Sequence, residues 1–171
     1  LEEVQNLLEH SELEMRSFIR GLRPESSSRP KTTNVDLEDR LETLRQRVER
    51  QWPITVNLHL NGAVDRVPAA LLDDVYHLAQ GAIINAARHA DGSEVSVDLS
   101  VTSSDLRLEV VDDGRGFPFH GTFDLQGLNK MKAGPLTLKE RVGRLAGDLT
   151  LSSMDTGTVV IMKLPIAHTS D

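Results

Sequence analysis

The first 22 residues carry hydrophobic side chains at three- and four-residue steps. These positions are Leu1, Val4, Leu8, Met15, Phe18, Ile19 and Leu22, and the opposite face is rich in Glu and Arg. The spacing predicts an amphipathic helix, and Pro24 ends it. Such a helix needs a partner in the same chain or in a second copy. Residues 25–35, which contain three consecutive serines and Pro30, predict a linker.

Beyond the linker, helical and strand periods follow one another up to residue 168. A four-position stripe from Leu37 to Val48 predicts a helix that stops before Pro53, and residues 68–89 predict a longer one. Alternating apolar positions predict strands at residues 54–60, 95–101, 106–110, 149–154 and 158–164, the second and third forming a hairpin. A further helix is predicted at residues 136–145. This order predicts an α+β fold, a two-layer α/β sandwich with three helices on one face of the sheet.

Residues 114–134 interrupt this pattern with five glycines and no sustained period. We predict a long irregular loop there. Loops of that length inside a compact domain are usually functional lids or disordered segments.

Composition removes several classes of function. The formal net charge is -7 and no long basic block occurs, which argues against nucleic acid as a partner because phosphate contacts need clustered Lys and Arg. The absence of cysteine excludes disulfides, thiol nucleophiles and zinc–thiolate sites. The apolar runs are shorter than the ~18 residues of a membrane span. We therefore expect a cytoplasmic location, with any membrane anchor in other segments of a longer parent protein.

Two groups of residues are candidates for chemistry. On the predicted helix 68–89, Gly81, Asn85, Arg88 and His89 lie on the side away from the apolar stripe, although taken alone the polar ones are better explained by a solvated face. Asp112 ends the second hairpin strand and is followed by glycines at 114 and 116. Such a turn lets a ligand approach the backbone, and the carboxylate can accept a hydrogen bond from an amine. An ordinary glycine turn is the simpler alternative.

The order of these motifs resembles the Bergerat ATP-binding fold, which histidine kinases, gyrase, mismatch-repair ATPases and related chaperones share. Residues 84–90 (Ile-Asn-Ala-Ala-Arg-His-Ala) resemble the N box of sensor histidine kinases that act on NarL-type response regulators. Residues 20–24 resemble the end of the second dimerisation helix of that subfamily, and residues 138–147 resemble its post-lid helix. The resemblance covers nearly the whole chain. It implies a dimerisation segment at residues 1–24, a linker at 25–35 and an ATP-binding catalytic domain at 36–168.

The resemblance also implies a role for each matching residue. Asp112 would accept the adenine amino group, and Asn85 would hold Mg²⁺ between the phosphates. The remaining matching positions would lie beside the base, the phosphates or the lid: Arg88, His89, Gly114, Gly116, Lys132, Gly134 and Thr158. The lid glycine pattern has two candidates, residues 127–131 and 133–138, and we favour the second because Pro135 suits a helix start. Lys130 and Lys132 are phosphate contacts or plain solvated lysines.

Two departures from the subfamily concern catalysis. Gly81 stands where the subfamily has Glu, so the catalytic base is unknown; the glycine means either lost catalysis or room for a packed neighbour. The phosphoacceptor His is absent, because His10 precedes Ser11 and lies on the helix that resembles the second one. We read His10 as a surface residue.

The resemblance implies a sensor histidine kinase fragment that uses ATP and Mg²⁺ and transfers the γ-phosphate to a histidine outside the fragment, for relay to a response regulator. The parent would be a homodimer through its helical domain. The alternative is a degenerate, non-catalytic nucleotide-binding module of the same fold. A third candidate, an anti-sigma-factor serine kinase of the same fold, fits less well. In this chain the segment at residues 20–24 and the linker precede the ATP-binding domain, whereas those proteins begin within that domain.

Overall fold

The computed structural model describes residues 33–89 and 91–166, so the helix predicted at residues 1–22 lies outside the described residues. In chain order the elements are α1 (Asn34–Gln51), β1 (Thr55–His59), α2 (Leu72–His89), β2 (Glu94–Val101), β3 (Asp105–Asp112), β4 (Gly121–Asp124), α3 (Leu125–Met131), α4 (Leu136–Arg144), β5 (Asp148–Met154) and β6 (Gly157–Pro165). Short 3₁₀ turns at Val64–Arg66 and Ala69–Leu71 precede α2. Within these ranges no helix combines the length and the apolar character that crossing a membrane requires.

The strands form one sheet in the order β1-β2-β3-β6-β5-β4. Only β1 and β2 pair in parallel; the other neighbours are antiparallel. Leu99, Leu108, Met162 and Leu149 lie opposite one another on four adjacent strands and are at most 2% exposed. Because residues in register share a face, this row marks the apolar face that packs into the core with the helices. The predicted two-layer α/β sandwich is confirmed.

The start of α1 is fixed by a capping box. The Thr33 hydroxyl accepts a hydrogen bond from the backbone N–H of Asp36 (3.3 Å), and the Asp36 carboxylate accepts from the Thr33 N–H (2.7 Å). These bonds satisfy N–H groups that a helix start otherwise leaves without partners. The helix therefore begins at Asn34, inside the segment predicted as a linker, and it buries the predicted stripe from Leu37 to Val48.

The long helix α2 buries the predicted face and is fastened to α4 by ion pairs. The Asp74 carboxylate, 19% exposed, accepts from Arg141 (2.7 Å) and Arg144 (2.9 Å). Regular α-helix begins at Leu72 and not at residue 68, because the preceding residues form the Ala69–Leu71 turn. The two helices that carry the motifs at residues 84–90 and 138–147 are thus held together.

The prediction of an irregular loop at residues 114–134 is wrong. The segment contains β4, which pairs with β5 from Gly121 opposite Ser153 to Asp124 opposite Thr150, and the seven-residue helix α3. Each element is too short to show a period: β4 has one large apolar residue, Phe123, and α3 has one buried residue, Leu128. Hereafter residues 117–135 are called the lid segment.

Candidate functional site

Asp112 lies at the end of β3, where three adjacent strands bring polar side chains together. The register places Thr158 of β6 opposite Asp112 and Ser153 of β5 opposite Thr158. The Asp112 carboxylate accepts from the Gly114 N–H at 3.0 Å, and Thr158 acts as a further donor that lowers its pKa. An ionised carboxylate has about four acceptor positions, so Asp112 keeps acceptor capacity for a donor from outside the protein.

The electrostatic state of Asp112 follows from this half-buried position. Partial burial raises the pKa of its carboxyl above the ordinary value, and the hydrogen bonds from Gly114 and Thr158 oppose that rise. A partly desolvated carboxylate gains more from an additional hydrogen bond than an exposed one does. A ligand amino group is a suitable donor, so the residue present fits the adenine contact that the sequence predicts.

Two glycines at this end of the sheet are required by the protein's own backbone. Gly157 has φ +139°, and a Cβ there would overlap the carbonyl oxygen of Asp112. Gly116 has φ +72°, and a Cβ there would overlap the carbonyl oxygen of Met154. The sequence interpretation assigned Gly116 to room for the base, whereas the structure gives it a packing reason. Next to it, the Phe117 N–H donates to the Ser153 hydroxyl at 2.7 Å.

The second predicted group lies at the C-terminal end of α2. Arg88 and His89 are exposed there, and Asn85 is half-buried. Within the described ranges the Asn85 side chain has no hydrogen-bond partner, so its amide oxygen is available to a ligand. Those ranges contain no cluster of three or more His, Cys, Asp or Glu side chains that could hold a metal. A metal would therefore depend on Asn85 and on phosphate oxygens, an arrangement common for Mg²⁺.

Gly81 faces a neighbouring helix. A Cβ there would come within 2.9 Å of Leu138 Cδ2, and Leu138 is 2% exposed. A side chain at this position would meet α4. Of the two readings of Gly81, the structure favours room for a packed neighbour.

The lid segment is anchored at its C-terminal end. Gly134 has φ +78°, and a Cβ there would lie 3.3 Å from the Leu128 side chain, which is fully buried. The Lys139 ammonium, on a residue only 7% exposed, donates to the Ala133 carbonyl at 2.8 Å. Lys132 ends α3 in a left-handed conformation and is exposed. Sequence reasoning missed Lys139, because a lysine in an amphipathic helix carries no sign of burial.

Neither of two surface depressions is lined by a predicted site residue, although the second borders the lid segment. One is lined by Glu42, Arg45, Val56, Asn57, Leu58 and His59. The other is lined by Asp124, Leu125, Gln126, Asp148, Leu149, Thr150, Ile161 and Lys163. In the first, Glu42 and Arg45 already form an ion pair. The depressions therefore do not coincide with the predicted site. We locate the site at Asp112, because its half-buried carboxylate can accept a further hydrogen bond.

Comparison with known proteins identifies the family. The model of the histidine kinase-, DNA gyrase B- and HSP90-like ATPase family matches residues 71–168, more than half of the chain. The chain is 27% identical over 165 residues to the sensor histidine kinase LiaS of Bacillus subtilis (strain 168), which covers 95% of this chain and 42% of LiaS. It is 33% identical over 97 residues to the histidine-protein kinase/phosphatase DegS of the same strain, covering 54% of this chain and 24% of DegS. The chain spans less than half the length of these curated relatives.

Solved structures agree with the sequence relatives. The blue-light activated histidine kinase EL346 of Erythrobacter litoralis aligns with a TM-score of 0.58 at 27% identity, over 75% of this chain and 41% of that chain. Its histidine kinase domain aligns with a TM-score of 0.57 at 23% identity, over 81% of this chain and 65% of that chain; the second comparison supports the fold alone. On the family match and these relatives, the chain belongs to the histidine kinase-, DNA gyrase B- and HSP90-like ATPase family, and this membership implies ATP as its substrate.

Proposed function

We propose that this chain is the ATP-binding catalytic part of a two-component sensor histidine kinase. It binds Mg-ATP at the end of β3 and transfers the γ-phosphate to a histidine on the helical domain of its parent, for relay to a response regulator. The parent is a homodimer through that helical domain, and the catalytic part works in the cytoplasm. The observation that carries the proposal is the half-buried Asp112 carboxylate at the end of β3, held by the Gly114 N–H and able to accept a further hydrogen bond.

The role of each residue follows from the functional group of its side chain. Asp112 accepts the adenine amino group, with Thr158 holding the carboxylate in place through its own hydrogen bonds. A carboxylate accepts from the amine of adenine but meets an acceptor oxygen in guanine, so this contact selects ATP over GTP. Asn85 binds Mg²⁺, which supplies charge neutralisation on the phosphates when it is bound.

In the proposed site, exposed side chains and the start of a helix bind the phosphates. Arg88, His89 and Lys132 are exposed side chains whose charges or N–H groups suit phosphate oxygens. Gly134 precedes α4, whose first N–H groups suit an anion as well. Phosphoryl transfer depends mainly on positioning and on charge stabilisation, so a domain that supplies these needs only a correctly placed acceptor histidine.

The non-catalytic alternative is not favoured. It relied on Gly81, and the packing of Leu138 against that position accounts for the glycine without loss of activity. The curated relatives compared above are sensor kinases. The base that the subfamily carries at this position remains unassigned in this chain.

Titration calorimetry with Mg-ATP and Mg-GTP tests the proposal. Asp112→Asn should weaken ATP binding by roughly ten- to a hundredfold, since a hydrogen bond to a charged group contributes about 1.5–3 kcal/mol. Asp98→Asn is the matched control, because Asp98 lies on the opposite face of β2 from the buried residues Val97 and Leu99. Equal affinity for ATP and GTP, or an unchanged constant in Asp112→Asn, would mean that the site is assigned wrongly.

A further inference from the structure

Asp113, which directly follows the proposed adenine acceptor, is bound by three donors from a distant segment. Its Oδ1 accepts from the backbone N–H of Ser93 and of Glu94, both at 2.8 Å, and its Oδ2 accepts from the Ser93 hydroxyl at 2.6 Å. The backbone adds a fourth contact, from the Asp113 N–H to the Glu94 carbonyl at 3.3 Å. These bonds join residues about twenty positions apart in sequence.

The segment that Asp113 binds leads from α2 into β2. A Cβ at Gly92 would overlap Asp113 Oδ1 and come within 2.9 Å of the Gly114 nitrogen, so the two backbones are in close contact. One residue further out on each side, Arg115 and Asp91 form an ion pair at 3.1 Å. Residues 91–94, which follow α2, and the turn after β3 are therefore fastened at successive positions, with the Asp113 carboxylate at the centre.

We propose that Asp113 is a positioning residue that holds the C-terminal end of α2 at a fixed place relative to Asp112. The inference rests on the proposed function, in which Asp112 binds adenine and Asn85 serves the metal and phosphates. In that arrangement, one nucleotide contacts both groups at once, and its affinity depends on their separation being set before it binds.

The chemistry of the contact suits this role. The Ser93 hydroxyl and the two N–H groups lower the pKa of the Asp113 carboxyl, so it stays ionised and acts only as an acceptor. Charge-assisted hydrogen bonds of this kind are stronger and more directional than neutral ones. Three of them on one short segment restrain both its distance and its orientation.

If Asp113 is a positioning residue, its substitution should affect the binding of adenosine and the binding of Mg-ATP differently. Adenosine needs only the Asp112 end, whereas Mg-ATP needs both ends. In the 171-residue chain, Asp113→Ala should weaken Mg-ATP binding about tenfold and leave adenosine binding within about twofold. Asp113→Asn keeps an oxygen for the two N–H groups, so it should restore most of the Mg-ATP affinity. Asp65→Ala removes an exposed aspartate from the Val64–Arg66 turn and is the control.

A double-mutant cycle with Asn85 separates positioning from a general loss of stability. If Asp113 acts by placing the end of α2, Asp113→Ala should cost less than about twofold in Mg-ATP affinity once Asn85→Ala is present, because coupled residues are not additive. Ser93→Ala keeps the backbone bonds and guards against a misfolded Asp113→Ala; it should weaken Mg-ATP binding about threefold and leave adenosine binding unchanged.

Failure of the positioning role and failure of the proposed function would give different results. Equal losses for adenosine and Mg-ATP, or a full tenfold loss in the Asn85→Ala background, would overturn the positioning role while leaving the nucleotide site intact. If the chain does not bind Mg-ATP, or if Asp112→Asn binds it as well as the unmodified chain does, the proposed function itself fails and the positioning role fails with it.

Discussion

The two halves of the proposed site are held by different kinds of interaction. The strand-end turn, residues 112–116 with residues 157–158, is fixed by sheet register, by backbone contacts that only glycine permits and by hydrogen bonds to Asp112. The lid segment is held by one short strand pairing, the buried Leu128 and the hydrogen bond from Lys139 to Ala133. The proposed base-binding end is therefore preformed, whereas the proposed phosphate end depends on few contacts.

The lid segment nevertheless has partners of its own. Phe117 stacks on Phe119 with ring centroids 5.3 Å apart, and Phe119 meets Phe123 edge-on at 5.5 Å. The His120 Nε2 atom lies 3.1 Å from a carboxylate oxygen of Asp155. Nucleotide binding would rearrange or reinforce existing contacts and would not order a free loop.

The largest effect should come from the strand-end turn. Gly157→Ala puts a Cβ into the Asp112 carbonyl at φ +139°, so backbone strain of roughly 1–3 kcal/mol adds to a steric overlap. We expect the free energy of unfolding to fall by about 4 kcal/mol, which lowers the melting temperature by roughly 8–16 °C. Thermal unfolding followed by circular dichroism measures it.

Gly143→Ala is the matched control for Gly157→Ala. Gly143 lies within α4, and a Cβ there would meet nothing within 4 Å. Alanine should therefore stabilise the chain by up to about 1 kcal/mol through helix propensity alone. A mild response to alanine at both positions would refute the claim that close backbone contact fixes the strand-end turn.

A smaller and more local effect is expected in the lid segment. Leu128→Ala removes the buried side chain of α3 and should cost about 2–3 kcal/mol, at the low end for buried leucine because a surface segment can collapse into the gap. Hydrogen exchange should accelerate at residues 121–135 and stay slow in β3 and β6. Met131→Ala, in the same helix at a position 43% exposed, should change little. Uniform acceleration along the chain would contradict the separation of the two regions.

The smallest effect is a dependence on pH. Because partial burial raises the pKa of Asp112, its carboxylate takes up a proton at higher pH than an ordinary aspartate does. Protonation removes the charged acceptor, so adenosine affinity should weaken as the pH falls toward that raised pKa and recover above it. Adenosine avoids the titration of the ATP phosphates. Calorimetry across mildly acidic pH should show this trend, and Asp112→Asn should show none.

The raised pKa of Asp112 also changes how the free energy of unfolding depends on pH. A carboxyl whose pKa is higher in the folded state than in the unfolded state binds protons more tightly when folded. Asp112 therefore lowers the free energy of unfolding at pH values above its folded pKa, and that penalty disappears below its unfolded pKa. Asp113, whose pKa is lowered by Ser93 and Glu94, has the opposite effect: its contribution is present above the unfolded pKa and is lost as the pH falls through the folded one.

The periodic elements were predictable from the sequence because each has several apolar positions that repeat. The stripe from Leu37 to Val48 and the alternation in β2 and β3 each predict their element correctly. In contrast, β4 and α3 depend on tertiary contacts. A strand with one large apolar residue gains its stability from pairing with β5, which no local pattern encodes.

The site was predictable only in part for a related reason. Asp112 stands out because a carboxylate precedes two glycines at a strand end. No sequence signal marks Asp113, since its partners at Ser93 and Glu94 lie about twenty positions earlier. Two readings of Gly81 stayed open at the level of sequence because a helical projection contains no neighbouring helix, and in the structure α4 places Leu138 over that face.

Backbone amide chemical shifts of the ¹⁵N-labelled chain, recorded during titrations with adenosine and then Mg-ATP, test the central claim most directly. Adenosine should shift the amides of Gly114 and Thr158, which bind Asp112, and leave the α1–β1 depression at Glu42 and His59 unchanged. Mg-ATP should add shifts at Asn85 and in the lid segment. If the nucleotides instead shift residues of the α1–β1 depression and leave Gly114 and Thr158 unmoved, the strand-end turn is not the nucleotide site.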